Sequence, residues 1–84
     1  MPTIAVFFGL IIKMYFQQRE HNPPHVHVEF GEDAAAVGLF DGEVLDGYLP
    51  VRAQRLARKW IELHQLELLE MWDTQAFRKL PPLA

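Results

Sequence analysis

The six residues His25–Phe30, HVHVEF, decide the fold. Polar and apolar residues alternate without a break, and successive side chains of a strand point to opposite faces. His25, His27 and Glu29 therefore share one face, and Val26, Val28 and Phe30 share the other. Such a strand needs a cover over its valines and leaves its histidines in water.

The flanks extend this strand into a sheet. Upstream, residues 17–24 (QQREHNPP) carry the Pro23-Pro24 pair, whose missing donors and fixed φ exclude a helix, so a stiff loop is expected. Before the loop, residues 3–7 and 10–16 (LIIKMYF) read as two strands, with Gly9 marking a bend or bulge between them. Downstream, residues 31–33 turn into a strand over 34–40, and Asp41-Gly42 signals a hairpin leading to residues 43–46. The sum is an antiparallel meander of four to five short strands.

Keeping the apolar residues on one face suggests a register, because a slip of one residue would invert every side chain. Setting Met14 opposite Val28 places Phe16 by Val26 and Ile12 by Phe30. It also opposes Tyr15 to His27, Lys13 to Glu29 and Gln17 to His25 on the other face. Matching Val37 to Val28 leaves Ala36 beside Glu29 and Gly38 beside His27. These small neighbours predict an uncrowded polar patch of Lys13, Tyr15, His25, His27 and Glu29, with His21 above it.

From Pro50 onward the period changes. Ala53, Leu56, Ala57, Trp60, Ile61, Leu68, Met71 and Trp72 recur at three- and four-residue steps, the mark of an amphipathic helix, and Pro50 suits its first turn. One long helix is the reading adopted. Leu66 and Leu69 fall off the stripe, and the alternative is two helices meeting near His64 and Gln65. The stripe should cover the valine face of the sheet, with Trp60 and Trp72 as core anchors and His64 at the core edge. The class is α+β: a meander over residues 1–47, then helix over 50–78 on one sheet face, as a single domain of 84 residues.

Composition narrows the function. The chain has no cysteine, which excludes disulfides, thiolate metal sites and thiol catalysis, and its net charge of −3 excludes a uniformly basic nucleic-acid binder. The apolar run over residues 4–12 has no preceding positive region and meets Lys13 too soon to span a bilayer or act as an export signal. A cytoplasmic protein with no membrane attachment is expected.

Two features carry chemistry. His21, His25 and His27 have the nitrogen ligands that suit a zinc-like divalent metal, and alternation aims the last two the same way. Without metal, His25 or His27 could act as a base with Glu29 orienting it, while Lys13 or Tyr15 binds a phosphate or carboxylate. A solvated face with no chemistry is the third reading. The second feature is an inverted charge order in the helix: Arg52, Arg55, Arg58 and Lys59 come first and Glu62, Glu67, Glu70 and Asp73 follow, against the helix dipole. Arg52, Arg55 and Lys59 project to one side as a basic ridge for phosphates or an acidic partner, and Arg58 and Lys59 are spaced to pair with Glu62.

The opening MPTI, the strand over residues 9–15, HNPPHVHVEF at 21–30, GEVLDGYLP at 42–50 and RAQRLARKWIELHQLELLEMW at 52–72 together resemble the domain-of-unknown-function family 4160. The most specific part is His21, Pro23, Pro24, His25, His27, Val28, Glu29 and Phe30. The resemblance implies a small prokaryotic cytoplasmic protein, often encoded beside a member of family 2442 in a toxin–antitoxin or transcription-regulating gene pair. It brings no catalytic residues. The expected function is an interaction module that binds this neighbour's product, itself, or nucleic acid. A histidine-dependent hydrolase, such as a ribonuclease toxin, is the alternative.

Overall fold

The computed structural model describes residues 3–15 and 23–83. Five strands run in chain order, β1 (Thr3–Phe7), β2 (Leu10–Lys13), β3 (His25–Phe30), β4 (Asp33–Gly38) and β5 (Val44–Gly47), followed by α1 (Val51–Leu63) and α2 (Gln65–Thr74). They form one antiparallel sheet in the order β1-β2-β3-β4-β5. This is the expected α+β meander, with β3 at its centre.

Alternation fixes the faces as expected. Val26 and Val28 are buried, as are Ile4, Ile12, Met14, Val37 and Leu39, and they join Ala53, Ala57, Trp60, Ile61, Leu68 and Met71 of the helices in one core. Burying each valine contributes roughly 1.5–2 kcal/mol. Phe30, at the end of β3, is only partly covered. Phe16 and Gln17, which the predicted register used, lie outside the described residues.

The predicted register is off by two residues on both sides of β3. Ile12 pairs with Val28 and Lys13 with His27, while His27 pairs with Ala36 and His25 with Gly38. A step of two preserves every face, so the apolar pattern cannot distinguish these registers. The β3–β4 turn supplies the missing constraint. It holds only Gly31 and Glu32, so Phe30 already faces Asp33, and Gly31 takes φ +60° to make the turn. The β1–β2 turn is equally tight, with Phe8 and Gly9 both at positive φ. The β4–β5 connection is longer than the two-residue hairpin expected at Asp41-Gly42. Leu39 lies past the end of β4 but continues its pairing with β3, its N–H donating to the Pro24 carbonyl at 2.9 Å and its side chain fully buried.

The single long helix is not what forms. At His64 the backbone turns to φ −118°, ψ 21°, which ends α1 and starts α2. The Gln65 amide donates to the carbonyls of Leu39 (2.8 Å) and Phe40 (3.1 Å), which ties the break to the β4–β5 loop. The break turns Leu68, Met71 and Trp72 into the core and leaves Leu66, the off-stripe residue, 83% exposed. It also resolves part of the charge inversion, because Glu67 now lies in the first turn of α2, where the dipole favours an acid.

The chain beyond α2 returns to the sheet. The Leu80 N–H donates to the Ile4 carbonyl at 2.9 Å, and the Trp60 indole N–H donates to the Pro81 carbonyl at 2.9 Å. The outer edge of β1 is thereby partly closed, and Trp60 anchors the core as expected.

Candidate functional site

The face of β3 opposite its valines carries the predicted patch. Five of its six residues, Lys13, Tyr15, His25, His27 and Glu29, are described and half-buried. His21 lies outside the described residues. Two of the expected contacts form despite the shifted register, because long side chains reach diagonal neighbours as well as direct ones. Lys13 Nζ lies 2.9 Å from Glu29 Oε2, and the Tyr15 ring meets the His27 ring edge-on at 4.3 Å between centroids.

The imidazoles form the middle of an aromatic row. The His25 and His27 centroids are 5.1 Å apart with planes at 70°, and the far side of His25 rests against Trp72 of α2 at 5.0 Å. His25 Nδ1 lies 2.9 Å from the Pro23 carbonyl. A carbonyl only accepts, so Nδ1 carries the hydrogen, and in the neutral ring Nε2 keeps its lone pair. Burial lowers the His27 pKa below its ordinary 6.5; the nearby His25 adds to the shift and Glu29 opposes it. Lys13 moves the other way, above 10.5, chiefly through its hydrogen bond to Glu29.

The small neighbours stand directly beside the imidazoles, Ala36 at His27 and Gly38 at His25. The space over Gly38 is not open, however. A Cβ there would lie 3.0 Å from Asp41 Oδ1 and 3.8 Å from Leu45 Cδ1. The patch is therefore closed at its Gly38 end. The sequence gives little warning of this, because Leu45 lies at an irregularity between β4 and β5, where the pairing steps from Asp46 to Val44. The part of Trp72 was also missed, since its helical spacing marks it only as core. Pro23, read as a helix breaker, also contributes the carbonyl that orients His25.

Among the described residues no group of three or more His, Asp or Glu side chains is arranged to hold a metal ion. Glu29 is bonded to Lys13, which leaves it poorly placed to orient an imidazole. His64 behaves as a core-edge histidine, with Trp60 at 5.1 Å and Nδ1 3.1 Å from Glu67 Oε1.

The basic ridge lies on α1. Arg52, Arg55 and Lys59 are exposed and form no ion pair with a described carboxylate. The expected pairing of Arg58 with Glu62 does not form, because Arg58 bonds instead to Glu43 in the β4–β5 loop. Arg78 lies 3.7 Å from both Glu67 and Glu70.

A family model described as "Domain of unknown function (DUF4160)" matches residues 9–73. The chain belongs to that family. The DUF4160 match includes the whole sheet-face patch, the ridge and the helix break, and it excludes β1 and the C-terminal strap that covers its edge. No curated protein and no solved structure matches the chain. Among the described residues no helix is long and apolar enough to cross a membrane.

Proposed function

We propose that this chain is a non-catalytic interaction module that grips an acidic partner protein through the ridge on α1. The observation behind this reading is the state of Arg52, Arg55 and Lys59, exposed along one side of one helix with no described carboxylate paired to them. Lys13, Arg58 and Arg78, by contrast, are engaged. In a protein of net charge −3, cations gathered on one helix favour an acidic patch by complementarity and steer its approach. The family resemblance adds a setting: a prokaryotic cytoplasmic gene pair of toxin–antitoxin or regulatory type, with the neighbour's product, resembling family 2442, as partner.

Light scattering of the chain alone and mixed with that product tests the reading. The expected result is a complex that weakens with salt and is lost in R52E/R55E, whose own stability changes by no more than about 0.5 kcal/mol. Two separate masses at every salt concentration overturn it, and a doubled mass for the chain alone points to self-association. Nucleic acid is the other anion the ridge suits. Three phosphate contacts would give a salt slope of roughly −2 to −3, which R52E/R55E would flatten.

A histidine-dependent hydrolase, such as a ribonuclease toxin, is the second reading, and the free Nε2 of the oriented His25 supports it. Against it stands the Lys13–Glu29 pair, which engages both the charge stabiliser and the carboxylate away from the imidazoles. RNA incubated with wild type and H27A separates the cases, since equal cleavage by both removes the hydrolase.

A further inference from the structure

We infer that His25 and His27 form a two-imidazole site for a borderline divalent transition-metal ion, of the zinc and copper class, on the face of β3 opposite its valines. This goes beyond the reading of α1 and is independent of it. The site lies on β3, which is hydrogen-bonded to a neighbour on each side, so the two Cα positions are held by ladder bonds in both directions. The pair is spaced i, i+2, which puts both side chains on one face.

The ring separation fits a shared ion. Zinc–nitrogen bonds near 2.1 Å set each ring centre roughly 3.2 Å from the metal, and two ligands at a tetrahedral angle then hold their centres about 5.2 Å apart. The observed separation is 5.1 Å. His25 is also already fixed as a ligand should be. Its Nδ1–H donates to the Pro23 carbonyl at 2.9 Å, the outer-shell bond that sets tautomer and ring direction in metal-binding histidines and leaves Nε2 as the free donor.

The neighbours permit a cation. The Lys13 ammonium, paired with His27 in the ladder, is neutralised by Glu29 at 2.9 Å. The neighbour of His27 on β4 is Ala36, whose methyl group offers no ligand, so waters complete the coordination of an ion with only two protein ligands. Both rings are half-buried, so the ion enters from solvent.

Trp72, 5.0 Å from His25, supplies the readout, because paramagnetic Cu²⁺ held at His25 quenches a nearby indole. Protein without a histidine tag, after EDTA treatment and dialysis, is titrated with CuCl₂ while tryptophan emission is followed, then back-titrated with ZnCl₂. The expected result is a saturable quench at one equivalent that Zn²⁺ reverses. H25A and H27A should each shift its midpoint by at least about tenfold, with an unchanged far-ultraviolet circular dichroism spectrum. H64A removes the imidazole 5.1 Å from Trp60 and should leave the midpoint in place. A quench whose midpoint is unchanged in a folded H25A or H27A, that disappears in H64A, or that fails to saturate below roughly 1 mM in the wild type overturns the site. Should either alanine variant unfold, H25N and H27Q replace it under the same criterion.

Discussion

Replacing Gly47 with alanine tests how the sheet hands over to α1. Gly47 adopts φ +86° and pairs with Ala35 at the end of β5. A methyl group there would lie 2.3 Å from the Ala34 carbonyl oxygen and 2.8 Å from Ala35 Cα. Both obstacles are backbone, so no rotamer relieves them. The strands must part by roughly 0.7–1 Å to restore ordinary contact distances. That movement breaks the bond from the Tyr48 N–H to the same carbonyl, now 3.1 Å. Left-handed strain and one lost hydrogen bond together cost about 2–4 kcal/mol. A domain of this length has about 4–12 kcal/mol of total stability. The expected outcome is a melting temperature lower by about 10–30 °C and a urea midpoint lower by about 2 M or more. Gly31→Ala is the control: Gly31 also has positive φ, +60°, but nothing lies within 4 Å of its missing Cβ, so only strain remains. It should cost about 1 kcal/mol. Equal losses in the two variants would refute the argument, because the close approach of β4 and β5 would then contribute nothing at Gly47.

Two further outcomes follow from the site and the strap. Burial lowers the His27 pKa, so the unfolded chain takes up protons that the native one refuses, and stability rises with pH across this window. The contribution is complete above the unfolded value near 6.5 and is lost as pH falls through the lowered native value. Urea melts in EDTA between about pH 7.5 and about pH 5 should show this slope, reduced in H27Q, and an unaltered slope in H27Q would assign the acid sensitivity elsewhere. Trp60→Phe removes the indole N–H that holds the Pro81 carbonyl and part of a fully buried ring. The expected loss is about 2–4 kcal/mol, with faster hydrogen exchange at the Leu80 amide, and unchanged exchange there would mean that the strap is held by other contacts.

The faces of the fold were legible and its registers were not. HVHVEF fixes which side chains are wet because a strand has period two, but any even shift satisfies the same pattern. Choosing among even shifts required the conformation of Gly31-Glu32, and a Gly-Glu-Asp run fits a two-residue turn as well as a three-residue one. The helix break was legible only in Leu66 and Leu69, since the 3.6-residue period continues through His64. What settles it is the Gln65 amide bonding to Leu39 and Phe40, a contact across 25 or 26 residues that local spacing cannot encode. The patch was legible as residue types sharing a face, while its closed end was not. Leu45 and Asp41 reach Gly38 only because the β4–β5 pairing is irregular.

Edge management limits how this fold can meet a partner. A sheet edge binds other chains by strand addition when a long row of backbone groups is free. On β1 the strap takes the Ile4 carbonyl. On β5, four residues long, only three pair, with an irregularity at Leu45, an exposed acid at Asp46 and a left-handed Gly47. Each of these features discourages an added strand. Recognition then falls to side chains, and two surfaces present them in organised form: the ridge on α1 and the imidazole row on β3. The ridge is on the helix that shares a core with the valines of β3, and the imidazoles occupy the reverse face of that strand. A small ion at the imidazoles therefore leaves the ridge free, and a partner on the ridge need not displace it. If both proposals hold, partner affinity should be the same with and without saturating Zn²⁺, and a tenfold change would mean that the two faces communicate through the β3–Trp72 contact, a coupling of about 1.4 kcal/mol.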